Sequence, residues 1–140
     1  MNPVISTALS GLMASAARLN VSASNTANSE TLGPVPATPP SQPLPPSSGG
    51  PAVYQAIHMT QTTTGSGGVS VGYAPVTPSY IQAYDPSAPF ADSNGMVAAP
   101  NVDLVTERVE QITAHSTFMA NLAVLKTADE MERSLLDLKA

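Results

Sequence analysis

Cysteine and tryptophan are both absent from this 140-residue sequence, and lysine and arginine together number only five. Without cysteine, the chain has no disulfide, thiolate nucleophile or thiolate metal ligand. The basic residues stand singly in a chain of net charge −5, so no basic patch is available to bind nucleic acid. With four Tyr and two Phe, the chain is not expected to bury a large compact core.

Long apolar runs are also missing. The stretch "VISTALSGLMASAA" is diluted by Ser, Thr and Gly, and we expect no segment to reach the ~20 apolar residues of a membrane span. Ala14-Ser15-Ala16 resembles a signal-peptidase site, but no positive side chain precedes it. An uncleaved N-terminus is therefore the favoured interpretation, with a cleaved signal as the alternative.

Residue types used in catalysis and metal binding occur without the spacing that such sites need. His58 and His115 have no His, Asp or Glu three or four residues away. The glycine-rich "TGSGGVSVG" lacks a following Lys, and "DSNG" lacks the later carboxylate of a calcium loop. The acidic cluster 129–132 is interpreted as a solvated helix face. We therefore predict that the chain is not an enzyme and has no catalytic residue, metal or cofactor.

The N-terminal part of the chain has the periodicity of a helix over residues 3 to 28. Pro3 is tolerated in a first helical turn. Arg18 is the one charged side chain before Glu30, so Ser, Thr, Asn and Ala fill the rest of the helix surface. The apolar stripe, spaced alternately by four and three, consists of Ile5, Leu9, Leu12, Ala16, Leu19 and Ala23.

The middle of the chain divides into a proline-rich linker, residues 34–52, and a small β-rich region, residues 53–99. The linker prolines exclude a helix or a central strand and favour an extended path along the side of a long helix. The P-x-x-P spacings leave open a second interpretation, a ligand for a proline-binding domain. Alternating residues and turn signals at "GSGG", Asp85-Pro86 and Asn94-Gly95 predict one or two hairpins, with a type I′ turn at Asn94-Gly95.

Residues 100–140 are predicted to form a second, longer helix, capped by Asn101 or Asp103. Its apolar surface is too broad for one partner helix to cover. One stripe contains Val105, Val109, Ile112, Met119 and Ala123. An offset stripe contains Val124, Ala128, Met131, Leu135 and Leu138, and between the two lie Phe118, Leu122 and Leu125.

These elements predict a mainly α fold with long terminal helices paired as a coiled-coil-like unit, a hairpin-containing middle region and a proline-rich linker. Such a pair would bury one apolar stripe of each helix. It would leave the small-residue face of the first helix and the second stripe of the other uncovered. Because small side chains permit close helix approach, we expect neighbouring copies of the chain to cover these faces.

Two motifs resemble the bacterial flagellar basal-body rod protein family. "RLNVSASNTANSET" is similar to its N-terminal S-N-x-A-N-x-x-T signature, with Ser24, Asn25, Ala27, Asn28 and Thr31 at the matching positions. Residues 80–138 are similar to the C-terminal part of its proximal members of the C type. The segments that carry this second similarity are Tyr84-Asp85-Pro86, Asn101-Val102-Asp103, Ala120-Asn121 and Val124-Leu125.

The resemblance implies a structural rod subunit of the basal body, where the rod crosses the periplasm. Its expected partners are copies of itself, other rod proteins and the flagellar type III export apparatus, with no nucleic acid and no membrane insertion. The terminal helices would form the wall of the export channel and transmit torque. The alternative is a secreted or adaptor-type binding module that uses the proline-rich segment.

Residues from both helices and both motifs are expected at the subunit interfaces of such a rod. They are Ile5, Leu9, Leu12, Ala16, Leu19, Ala23, Asn25, Ala27, Asn28, Asn101, Val102, Asp103, Val105, Val109, Ile112, Met119, Asn121, Leu122, Leu125, Met131 and Leu135.

Overall fold

The computed structural model describes residues 3–46, 51–65 and 67–138, which form two long helices and two antiparallel hairpins. β1 pairs with β2 and β3 pairs with β4, in separate two-stranded sheets. The predicted terminal helices and small hairpin-containing middle region are confirmed. In chain order the elements are α1 (Pro3–Ala27), β1 (Ile57–Thr63), β2 (Val69–Pro75), β3 (Tyr80–Tyr84), β4 (Met96–Pro100) and α2 (Leu104–Asp137).

The two helices pack side by side and run antiparallel. The Ser15 and Thr117 hydroxyls are 3.0 Å apart, and the Ser22 hydroxyl donates to the Glu107 carbonyl at 2.8 Å. Higher residue numbers on α1 thus face lower numbers on α2. Ala128 is the last buried residue of α2, and residues 129–138 are all exposed. These ten residues extend beyond the beginning of α1 and are here named the α2 overhang.

The faces that the helices turn toward each other differ from those predicted. The buried residues of α1 are mostly small or polar, and only Ala114 and Ala128 are buried on α2. From the predicted stripes, Leu9 and Leu19 are exposed, and Val105 is 74% exposed. The prediction that the large apolar stripes pair within the chain is therefore wrong for most of their residues, although Leu12 and Ala128 are buried. The chain itself covers mainly the small-residue face.

Small residues on the facing surfaces of the helices explain this difference. A Cβ atom on Gly11 would lie 2.5 Å from Asn121 Oδ1, so a larger residue at this position would require the Asn121 side chain to move. Ala8, Ala14 and Ala114, each almost fully buried, allow similarly close contact along the helix pair. We call this interface the helix seam. A large side chain within it would push the helices apart.

The β1–β2 hairpin lies along α1 and is hydrogen-bonded to it near both ends. At its turn, Gly67 and Gly68 have φ values of 83° and 92°, in the left-handed region that glycine adopts without strain. Next to this turn, the Val69 N–H donates to Ser10 Oγ at 3.2 Å. At the other end, Ile57 exchanges two hydrogen bonds with the Asn25 side chain.

The proline-rich segment lies against the second sheet, which corrects the prediction of a linker running beside a helix. Gly33 and Ala98 exchange two backbone hydrogen bonds of 3.0 and 2.9 Å just before the prolines begin. The Ser79 N–H then donates to the Pro40 carbonyl at 2.8 Å. Proline has no N–H to donate, but its carbonyl accepts normally, so this segment bonds to the sheet as an acceptor.

Side chains of the same segment complete the small core of the middle region. Val35 and Leu44 pack against the buried residues Val53, Tyr80 and Ala98. Residues 34–46 are thus part of the folded middle region. The rest of the predicted linker includes residues 47–50, which lie outside the described residues.

The turn at Asn94-Gly95 is not type I′, which needs positive φ at two consecutive residues. Gly95 has a φ of 75°, and no other residue type has positive φ in the part of the chain that the structure describes. Asp92 determines the conformation instead. Its Oδ1 accepts from the N–H groups of Asn94 at 2.8 Å and Met96 at 2.9 Å, which forms the turn through a side chain.

Helix α1 is long and apolar enough, by length and composition alone, to cross a membrane. The expectation that no segment reaches this length is therefore wrong. This is weak evidence for a membrane span, because core helices and N-terminal signal sequences meet the same criterion. In the structure, α1 packs against α2 and the β1–β2 hairpin.

Candidate assembly surfaces

Asn25 connects α1, α2 and the β1–β2 hairpin from a position that is only 2% exposed. Its Nδ2 donates to Glu107 Oε1 at 2.6 Å and to the Ile57 carbonyl at 2.9 Å. Its Oδ1 accepts from the Tyr54 hydroxyl at 2.9 Å and from the Ile57 N–H at 3.3 Å. A side-chain amide has two donor hydrogens and two acceptor lone pairs, so every hydrogen-bonding position of Asn25 is used.

The remaining polar groups of the helix seam also find partners within the chain. Arg18 forms an ion pair with Glu110 at 3.2 Å. Among the described residues, no buried side-chain nitrogen or oxygen lacks a hydrogen-bond partner. The buried polar side chains of the helix seam therefore need no hydrogen-bond partner from a neighbouring subunit.

The other asparagines expected at subunit interfaces also bond locally. Asn28 Nδ2 donates to the Ser24 carbonyl at 2.9 Å, and Asn121 Nδ2 donates to the Thr117 carbonyl at 2.9 Å. Asn101 Nδ2 donates to the Pro78 carbonyl, also at 2.9 Å. These side chains stabilise the ends and the seam of the helices in their own subunit.

A polar groove of about 330 Å³ lies beside Asn25, between the helix pair and the first hairpin. Carboxylates of Asp103, Glu107 and Glu110 line it together with Arg18 and His58. Glu107 and Glu110 are bonded to Asn25 and Arg18, and Asp103 caps α2. No group of three or more potential metal ligands occurs among the residues that the structure describes. The carboxylates of the groove thus act in contacts within the chain.

Large apolar side chains instead lie on the outside of the helix pair. The outer face of α1 comprises Leu9, Met13, Ala16 and Ala23, of which Met13 is 62% exposed. The outer face of α2 comprises Val105, Val109, Ile112 and Met119, each more than half exposed. Contiguous apolar surfaces of this kind mark sites of interaction with other molecules.

The structure separates the predicted interface residues into three groups. Leu12 and Asn25 are buried within the chain. Partly buried are Ile5, Asn28, Asn101, Val102, Asn121 and Leu125. Exposed are Leu9, Ala16, Leu19, Ala23, Ala27, Asp103, Val105, Val109, Ile112, Met119, Leu122, Met131 and Leu135.

Several residues of the helix seam and of the outer faces were not predicted from the sequence. Met13 lies four residues after Leu9, so helical spacing alone was enough to place it on the outer face. Tyr54 and Glu107 gave no such signal, because their contacts with Asn25 join segments far apart in the chain.

Asp103 rather than Asn101 is the N-cap of α2, and this cap makes the stability of the helix depend on pH. The Thr106 hydroxyl and then the Val105 N–H donate to the Asp103 carboxylate, which lowers the pKa of this carboxyl below its usual value of 3.8. A group with a lowered folded-state pKa stabilises the fold above its unfolded-state pKa. That stabilisation is lost as pH falls through the folded-state value.

We expect Asp103→Ala to lower the thermal unfolding midpoint at neutral pH, because the first turn of α2 loses its cap. The difference from the unmodified chain should shrink as pH falls below 3.8. Far-UV circular dichroism across a pH series measures both effects. Asp137→Ala, at the opposite end of α2, is the control and should cause no loss. A deficit of Asp103→Ala that stayed constant into acid would contradict the capping account.

Comparison with known families matches both ends of the chain. Residues 5–34 match the family model described as flagella basal body rod protein. Residues 93–138 match the model described as flagellar basal body rod FlgEFG protein C-terminal. The first match covers most of α1, including Asn25, and the second contains β4 and α2.

Relatives extend the similarity over nearly the whole chain. The flagellar basal-body rod protein FlgC of Salmonella typhimurium is 34% identical over 132 residues, which cover 92% of this chain and 90% of the relative. FlgC of Escherichia coli O6:H1 is 33% identical and FlgC of Yersinia enterocolitica 34% identical over the same share of each chain. At this identity and coverage, the chain belongs to the flagellar basal-body rod protein family, as a structural subunit of the rod and not an enzyme.

Proposed function

We propose that this rod subunit polymerises through the outer faces of α1 and α2, which neighbouring subunits cover in the assembled rod. The observation that carries the proposal is which residues of the two helices are buried and which are exposed. The chain uses small and polar residues for its internal seam and leaves Met13, Val105 and Val109 on the outside. The interface would include the exposed and partly buried residues named above, with Leu12 and Asn25 acting within the subunit.

Burial of the outer faces supplies the free energy of assembly. Full burial of a Val, Leu, Ile or Met side chain is worth about 1.5–3 kcal/mol relative to leaving it exposed. The outer face of α2 alone presents four such residues that are each more than half exposed. Each new neighbour is therefore expected to contribute several kcal/mol, before the entropic cost of association.

The helix seam suits the transmission of torque. Its hydrogen bonds and ion pair join α1 to α2 within one subunit, and Asn25 joins both helices to the hairpin. Twisting the rod would have to shear these directional contacts together with the apolar contacts between subunits. In this proposal the terminal helices also form the wall of the channel used for export of later subunits.

The same seam suits export of the subunit as an unfolded chain by the flagellar type III export apparatus. Because small residues dominate the seam, folding of one isolated subunit buries little large apolar surface. Isolated helices without packed apolar faces are marginally stable in water. A subunit that gains further stability on joining the rod would be easier to unfold before export than after assembly.

The alternative function is an adaptor that recruits a partner through the proline-rich segment. The carbonyls of Thr38 and Pro40 already accept hydrogen bonds from Tyr80 and Ser79, and Val35 and Leu44 pack into the core. These contacts favour a structural role for residues 34–46, since the segment is held against its own sheet. A partner would have to displace it.

Loss of this protein is expected to abolish rod formation. Cells that lack the gene product should contain basal bodies without a complete rod and without hooks, and imaging by electron microscopy measures this directly. Re-expression of the unmodified chain is the control and should restore both structures. Intact rods and hooks in the deletion strain would refute the proposed function.

A further inference from the structure

The helix seam continues along α2 beyond the point where α1 begins. Ala114, Asn121 and Ala128 face α1 at intervals of seven residues, and Leu135 occupies the next position of this series. An α-helix drifts by only about 20° over each interval of seven residues, so all four positions share one face. Leu135 is 67% exposed, although the earlier positions are buried or partly buried.

A second series shows the same continuation. Val124 lines a shallow depression together with Pro3 and Val4 at the beginning of α1. Met131 follows Val124 by seven residues and is exposed on the α2 overhang. The α2 overhang thus continues the apolar surface that α2 presents to α1 in the helix seam. Along the overhang, α1 of the same chain no longer covers this surface.

We propose that the α2 overhang of one subunit docks on the outer face of α1 of a second copy of this chain. This inference rests on the proposed function and specifies which surfaces of two neighbouring subunits meet. The overhang has ten residues and is about 15 Å long, and the same rise covers α1 from Leu9 to Leu19. The overhang is therefore long enough to cover this part of the outer face of α1.

Charge favours this partner surface over a second overhang. The overhang contains four carboxylates, at 129, 130, 132 and 137, and a single Arg. Arg18 is the only charged side chain of α1, so its outer face carries no repelling group. A second overhang would repeat the four carboxylates. Like charges at an interface oppose that pairing.

The proposed contact joins different surfaces of the two copies. Such a heterologous contact repeats from subunit to subunit and produces an open array rather than a closed dimer. This is the type of contact that an extended rod requires along its length. Each subunit would receive one overhang and contribute another.

The absence of cysteine makes this contact directly testable with the variant Met13→Cys/Leu135→Cys. Within one chain the two positions cannot be bridged. Met13 lies near the level of Met119 in the antiparallel pair, so Leu135 is displaced by about 24 Å along the helix axis. A disulfide needs Cα atoms within about 7 Å. Any bridge between the two positions therefore joins two subunits.

The experiment expresses this variant in cells that lack their own copy, oxidises isolated basal bodies, and separates the chains on a non-reducing gel. We expect a ladder of dimers, trimers and higher species, with roughly tenfold more cross-linked chain than either single variant gives, since docking concentrates the two thiols. The matched control, Val109→Cys/Leu135→Cys, should give no ladder. If the first variant builds no rods, co-expression of its two single variants should give the same dimer.

Each remaining outcome overturns the proposal. Dimers from Leu135→Cys alone would mean that overhangs pair with each other, and a ladder from the Val109 control would place the overhang on α2. Rods that contain the chain but yield no cross-link between positions 13 and 135 would refute this contact and leave the proposed function intact. Absence of the unmodified chain from rods would refute both.

Discussion

Replacement of Asn25 by leucine is expected to lower the free energy of unfolding by about 2–4 kcal/mol, because it leaves several partly buried groups without partners. The Glu107 carboxylate loses a donor at 2.6 Å. The Ile57 N–H and carbonyl both lose this partner. The Tyr54 hydroxyl loses an acceptor and keeps its contact with Ser24 Oγ at 3.2 Å. Leucine has a similar volume, so the loss of hydrogen bonds rather than a cavity causes the effect. Urea unfolding followed by far-UV circular dichroism measures it.

Asn28→Ala is the matched control for this change. Asn28 lies three residues later in the same family motif, but its side chain donates to one local carbonyl, that of Ser24, at 2.9 Å. Its removal should cost less than about 1 kcal/mol. Equal destabilisation by the two variants would show that the Asn25 contacts have no special role.

A second variant, Asn25→Asp, removes the donor hydrogens of residue 25 but keeps the size of its side chain. The aspartate cannot donate to Glu107 and would place a second carboxylate beside the first. The variant should be less stable than Asn25→Leu at neutral pH. Its deficit should decrease on acidification, because protonation of either carboxyl removes the repulsion. A deficit that did not change with pH would contradict this geometry.

The elements of this fold could be predicted from the sequence because their signals are local. Helical spacing located α1 and α2 to within a few residues. The glycine-rich turn signal located the first hairpin, and the signals at Asp85-Pro86 and Asn94-Gly95 located the second. The signal for a helix cap is also local, and Asp103 was one of the two caps predicted for α2. A cap depends on hydrogen bonds to the next three residues, here Val105 and Thr106.

The choice of helix face could not be predicted in the same way. An apolar stripe has the same spacing whether it packs inside one chain or between copies, so periodicity alone did not distinguish the two cases. The structure shows that most buried residues of the seam are small or polar, and small residues let helices approach more closely than leucines do. Large apolar residues then remain on the outside, where Met13 and Val109 are found.

Contacts between segments far apart in the chain could not be predicted from the sequence either. The Asn25 motif was recognised from the sequence, but its partners Tyr54 and Glu107 lie 29 and 82 residues away. The proline-rich segment was interpreted as a linker because proline excludes helices and central strands. That rule says nothing about its carbonyls, and the Pro40 carbonyl accepts from the Ser79 N–H of the sheet region.

A charge at the centre of the outer face of α2 is expected to block rod assembly without unfolding the subunit. Val109 is 57% exposed, so Val109→Asp should change the free energy of unfolding of the isolated chain by no more than about 0.5 kcal/mol. Between subunits, the same aspartate would be buried without a partner, at a cost of several kcal/mol. Electron microscopy of basal bodies should therefore show rod formation reduced by roughly tenfold or more, since each 1.4 kcal/mol changes an association constant tenfold.

Thr62→Asp is the matched control, because Thr62 is exposed on the β1–β2 hairpin and lies on neither outer face. It introduces the same charge and should leave rods intact. Normal rods in Val109→Asp would contradict assembly through the outer face of α2, and equal loss in both variants would point to net charge instead. Urea unfolding of both isolated chains completes the test. If Val109→Asp unfolds at the same midpoint as the unmodified chain and still builds no rods, the lost free energy belongs to contacts between subunits.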